Sequence, residues 1–170
     1  AWREDAGALT IKPQNSFTRW VTRERPKIDR IACPWLIRRF IDPLATFHYV
    51  PSDRVLAEAS ARNAIPFDIP RVTFSHRGET CTFDSMIEDF GLSDQALHGL
   101  ARIVRGADTS HLDLTAQSPG LYAISLGLGD LIEDDHALLE TGLSLYDGLY
   151  RWQRDLTKET HAWPPKEMAR

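Results

Sequence analysis

Strand-like and helix-like stretches take turns through the first half of the chain, and no other feature narrows its fold as far. "FTRWVT" alternates and carries the β-rich residues of a strand, and "DRIACPWLIRRF" spaces Ile31, Trp35, Leu36 and Phe40 along one helical face. "DPLATFHYV" leads into a second strand, "RVLAEASARN" reads as a second helix, and "AIPFDIPRVTFSH" holds one or two short strands broken by Pro66 and Pro70. This order predicts an α/β fold in which the N-terminal alternating strand-helix unit builds a small, partly parallel sheet.

Pro34 refines the first helix. Proline is tolerated in a first turn but costs about 3 kcal/mol in an interior, so the regular helix is expected to begin near Cys33. Asp29 to Ala32 then form an approach loop or irregular first turn, where free N–H groups favour anions.

The second half changes character. "SDQALHGLARIVRG" offers Ser93 as a cap, Leu97, Leu100, Ala101 and Val104 as one face, and Gly106 as a stop. "PGLYAISLGLG" can start a helix with Pro119 in its first turn, and "DDHALLETGLSLYDGLYRWQRDL" continues with a long one. Leu138, Gly142, Leu145, Leu149 and Trp152 share the expected buried stripe of that last helix. The C-terminal third is therefore predicted to be helical and packed on the sheet. Residues 1–15 read as an extended arm, 16–157 as a single domain and 158–170 as a surface tail.

A chain of 170 residues can bury a core without staples, and its 42% hydrophobic and 26% charged content matches a globular protein. A net charge of −4 gives no global attraction to nucleic acid or acidic membranes. No recognition-helix signature, P-loop, GxGxxG, GxSxG or HExxH is present, and no apolar run spans a bilayer. The expectation is a cytoplasmic domain with no nucleic-acid partner of its own, no membrane partner, and room for a homo-oligomer. Cys33 and Cys81 are far apart and lack CxxC spacing, so free thiols are expected. Arg19, Arg23, Arg25, Lys27, Arg30, Arg38 and Arg39 form a local basic cluster that can meet an anion.

Three short stretches carry the candidate chemistry. In "VTFSHRGETCTFDSM", His76 at a strand end reads either as a metal ligand with Glu79 or with Asp84 at a helix start, or as a strand cap beside a solvated Glu79, with Thr82 or Asp84 only capping the helix. In "RGADTSHLDL", Asp108 lies just beyond a helix expected to stop at Gly106, where it either reaches a site or closes an Asx-turn. In "DRIAC", Arg30 beside a helix N-terminus offers a bidentate anion contact, or a simple salt bridge. His48, His98, His136 and His161 read as structural or surface residues.

"WVTRERPKIDRIACPWLIRRFIDPLATFHYV", "PFDIPRVTFSHRGETCTFDSMIEDFGL", "ARIVRGADT" and "LYDGLY" together closely resemble the C-terminal domain family of the chromate-resistance protein ChrB. The resemblance runs from about Trp20 to Tyr150, and its motifs fall on Asp29, Arg30, Cys33, Trp35, Arg39, His76, Cys81, Asp84 and Asp108. It implies a chromate-resistance role in which Asp29, His76, Asp84 and Asp108 share a divalent metal, Mn, Fe or Zn, since oxygen-rich ligand sets suit these ions. Arg30, Arg39 and Cys33 would bind a small molecule or oxyanion, and Asp108, Cys81 and His76 would carry any chemistry. Two classes stay open: a metal-dependent or thiol-assisted enzyme, and a sensor or regulatory domain that binds without turnover.

Overall fold

The structure, a computed structural model, describes residues 18–160. The expected arm, Phe17 of the first predicted strand, His161 and most of the expected tail lie outside the described residues. Three parallel strands, β1 (Arg19–Arg23), β2 (Thr46–Val50) and β3 (Ile65–Pro66), lie in the order β2-β1-β3. Arg19 pairs with Thr46 and Trp20 with Ile65, which fixes both registers. Helix α1 (Asp29–Leu36) links β1 to β2, and α2 (Val55–Arg62) carries the chain back to the opposite flank of β1. Such a reversal beside a central strand opens a crevice at the carboxyl ends of the strands, where α/β sheets place ligands.

Residue alternation along β1 divides the layers. Val21 faces Val55 and Ala59 of α2 and Ile69. Trp20 faces the main core, which joins α1 to α3 (Thr82–Asp89), α4 (Gln95–Asp108), α5 (Ser118–Leu131) and α6 (Asp135–Arg151). Trp35 is the centre of that core, packed against Phe40, Phe83, Tyr146 and Tyr150 with ring centroids 5.6–6.3 Å apart. The helical second half thus packs on one face of the small sheet.

Several local expectations are corrected. Helix α1 begins at Asp29 rather than near Cys33, with Pro34 in its interior. Proline removes the N–H that would bond the Arg30 carbonyl, and the Tyr49 hydroxyl at the end of β2 donates to that carbonyl instead, at 2.9 Å. The helix then widens into a π-helical turn, Ile37–Ile41, before Asp42. "RVTFSH" forms no strand; a single bridge between Phe67 and Phe74 folds it into a turn. Asp94, not Ser93, caps α4, its carboxylate accepting from the Ala96 and Leu97 N–H groups.

Gly106 does not stop α4. It sits against Ser118 where α5 crosses, and the helix runs on to Asp108. Gly142 plays the same part on α6, where a side chain would strike Ile31 of α1. The buried face of α6 is Leu138, Leu139, Gly142, Leu143, Tyr146 and Tyr150, whereas Leu145, Leu149 and Trp152 are half-buried at its edge. The stripe is rotated toward the two tyrosines, whose rings pack on Trp35.

Candidate functional site

Asp29 follows β1 and opens α1, Asp68 follows β3, and His76 ends the turn that returns from Phe74. All three therefore reach the carboxyl edge of the sheet. Two backbone outliers set the approach: Ile28 has φ 44° and Asp68 φ 53°. Positive φ is tolerable for an aspartate but a genuine outlier for a β-branched isoleucine, and such strain clusters at functional sites. The Tyr146 hydroxyl, buried in the core, donates to the Ile28 carbonyl at 3.3 Å and helps hold it.

The Nε2 atom of His76 lies 3.0 Å from Asp108 Oδ2, 3.4 Å from Asp29 Oδ2 and 3.5 Å from Asp68 Oδ1. Asp29 is fully buried, yet it does not cap its own helix. Its oxygens accept from the Thr82 N–H at 2.7 Å and the Phe83 N–H at 3.3 Å, so it caps α3 across the fold. Asp68 accepts from the Thr82 hydroxyl at 2.8 Å and pairs with Arg23 at 3.1 Å and Arg30 at 3.5 Å. Asp108 arrives from the last position of α4. Ser85 steadies the histidine turn by donating to the Ser75 carbonyl at 2.8 Å.

The electrostatics follow from this crowding. Burial pushes the Asp29 carboxyl up, to about 7; the His76 bond pulls it down, and the charges of Asp108 and Asp68 add to the rise. Burial also works upward on Asp68, but bonds from His76 and Thr82 and the charges of Arg23 and Arg30 outweigh it, leaving the group below its ordinary value. Bonds to Asp108, then Asp29 and Asp68, hold His76 up, to about 12, against partial burial. The three carboxylates thus favour the imidazolium form of His76. Burial, and then Arg23, lower Arg30 from its ordinary value.

The atoms also suit a metal. Ligand atoms bonded at about 2.1 Å on a tetrahedron stand about 3.4 Å apart. His76 Nε2 stands 3.4 and 3.5 Å from Asp29 Oδ2 and Asp68 Oδ1, and one ligand atom from each of the three residues lies within 4.8 Å of the others. Asp108 adds a carboxylate oxygen on the same nitrogen. With its side chain 44% exposed, His76 leaves one side of the cluster open to a cleft of about 660 Å³.

The sequence-predicted residues divide. Arg30, His76 and Asp108 line this cleft, and the fully buried Asp29 adjoins it through His76. Asp84 does not: it accepts from the Cys81 N–H at 3.1 Å and the Cys81 thiol at 3.2 Å, and faces a smaller depression beside Glu88 and His98. Cys81 stands at the N-cap of α3 and Cys33 inside α1, both fully buried, and burial pushes both thiols well up. That is the reverse of an activated thiolate. Arg39 is taken by Asp147, with two bonds of 2.8 Å. Of the rest of the basic cluster, Arg25 donates to the Gly129 carbonyl in the last turn of α5 and to those of Ile132 and Glu133 just beyond it, Arg38 pairs with Glu140, and Arg23 and Lys27 join Arg30 at the cleft.

Asp68 escaped sequence reasoning. Its signal was present, since "PFD" ends a strand-like run at the edge where α/β sheets gather functional groups, but two flanking prolines made the segment read as a broken strand.

Fold and cluster together define a parallel-sheet α/β domain with a carboxylate–imidazole site at the carboxyl ends of its strands. The chain belongs to the ChrB C-terminal domain family, whose sequence profile matches residues 20–153. Protein ChrB of Cupriavidus metallidurans is 35% identical over 132 residues, a match covering 77% of this chain and 39% of that protein. The match thus spans well under half the length of the curated relative. No solved structure matches the chain. Among the described residues, no helix is long and apolar enough to cross a membrane.

Proposed function

We propose that this domain binds a divalent metal through Asp29, Asp68 and His76, with Asp108 beside them, and uses the basic side of the same cleft to take an oxyanion. Chromate is the oxyanion that the family's resistance role suggests. The observation that carries the reading is the placing of His76 Nε2 at 3.4 and 3.5 Å from two carboxylate oxygens that come from separate segments. A bound ion would supply Lewis-acid charge for holding or polarising the anion. Asp29 and Asp68 would supply negative charge, and Arg23 and Arg30 would orient the incoming anion while keeping Asp68 ionised. The burial of both cysteines favours binding or metal-assisted chemistry over a thiol-assisted reaction.

Elemental analysis of natively purified protein, followed by calorimetric titration with Zn²⁺ and Mn²⁺, tests the reading. Stoichiometric metal is expected, lost in His76→Ala and Asp68→Asn. Metal no higher than background, with no heat on titration at neutral pH, overturns it. A chromate-consumption assay on the loaded protein then separates an enzyme from a sensor: turnover abolished by Asp108→Asn marks the first, binding without turnover the second.

A further inference from the structure

The cleft is far larger than a bare oxyanion. A tetrahedral oxyanion has about the volume of a few water molecules at ~30 Å³ each, a small fraction of the 660 Å³ available. The space falls instead within the range of roughly 300–1,000 Å³ that holds organic ligands. Its walls are also unlike one another. Arg23 ends β1, Lys27 and Arg71 lie in the loops that follow β1 and β3, and the apolar lining at Tyr122 and Leu126 comes from α5.

Each wall lacks something. Among the described residues, Lys27 and Arg71 make no ion pair and no side-chain hydrogen bond, and the buried Nε of Arg23 has no partner. Tyr122 and Leu126 each leave 40% of their surface exposed, on a helix of which only Ser118 and Leu121 are buried. An exposed ring and an aliphatic side chain that share a cleft with unpaired cations from other segments match a molecule with one apolar part and one anionic part.

We infer that the cleft binds an organic anion whose carboxylate or phosphate group sits among Lys27, Arg71 and Arg23, and whose apolar body lies on Tyr122 and Leu126. The orientation of that ligand, with a donor atom turned toward the His76 cluster, rests on the metal reading above. The apolar wall does not. A small oxyanion would occupy only the charged end of the same cleft.

The full chain, loaded with metal and metal-free, is titrated calorimetrically with two matched pairs: phenyl phosphate against inorganic phosphate, and benzoate against acetate. The aryl member of at least one pair is expected to bind tenfold or more tightly than its bare partner, and the pair that shows the effect identifies the head group. Tyr122→Ala with Leu126→Ala should erase that preference while metal stoichiometry stays unchanged. Lys27→Met with Arg71→Met should weaken aryl and bare anions alike, by about tenfold. Equal affinity within both pairs, a preference that survives the Tyr122 and Leu126 changes, or no binding by any probe overturns the inference. Metal binding measured on the same samples keeps the two readings apart, because loss of metal with the aryl preference intact sinks only the metal site.

Discussion

Arg39 with Asp147 and His76 with its aspartates are both cation–carboxylate sites at the edges of α1, and they are built on opposite terms. At the first, the two guanidinium bonds and a third from the Trp35 indole at 2.7 Å use both oxygens of Asp147. Donors and acceptors are matched, and the site is closed. At the second, one imidazole stands among the carboxylates of Asp29, Asp68 and Asp108, beside a cleft with unpaired cations. Both lie in stretches that carry the family resemblance, so a residue's presence in a motif says nothing by itself about whether it is a site or a fastening. Valence left over after the protein's own bonds are counted does.

Two alanine substitutions should separate the open site from the closed one most clearly. Asp29→Ala should abolish metal binding and destabilise the fold by about 2–4 kcal/mol, since it strips the buried N–H groups of Thr82 and Phe83 of their acceptor. Calorimetry and urea unfolding read the two effects, and Asp29→Asn, which keeps an acceptor oxygen, should lose the metal with much less destabilisation. Asp147→Ala should cost roughly 1–3 kcal/mol through the bonds of Arg39 and Trp35, with metal affinity unchanged. If Asp147→Ala also removes the metal, the two sites are not separate.

A smaller effect sharpens the open site through pH. In the metal-free protein Asp29 is raised from 3.8 to about 7, so the stability linked to its proton is full below pH 3.8 and is lost as pH climbs through 7. His76 is raised from 6.5 to about 12, so its contribution is full below pH 6.5 and is lost as pH rises through 12. Metal needs both groups deprotonated, so its affinity should rise over the same range while apo stability falls. Melting curves from pH 5 to 9, with and without Zn²⁺, should diverge with pH; parallel curves would show that no proton is displaced from His76 or Asp29.

What the sequence made legible was periodic. The alternation of strand and helix in the first half, the parallel sheet and the helical second half all follow from apolar spacing, which local stretches carry in full. Positions fixed by distant partners were misread. Gly106 reads as a stop because nothing near it announces Ser118, whereas Ser93 is mistaken for the α4 cap on purely local grounds, two adjacent cap-forming residues of which Asp94 takes the N–H groups. Within the site, Asp29, His76, Asp108 and Arg30 could be named from motifs at element ends. Asp84 could not be told from them, because its use as the partner of Cys81 is a local bond that mimics a ligand's placement.

The proline inside α1 carries a consequence for how this family can vary. Pro34 leaves the Arg30 carbonyl without its helical donor, and Tyr49, fifteen residues farther along the chain, supplies one. With an amide-bearing residue at 34, that carbonyl would have two suitors; with phenylalanine at 49, it would have none. The two positions therefore form a correlated pair, and across related chains they are expected to change together or stay as they are.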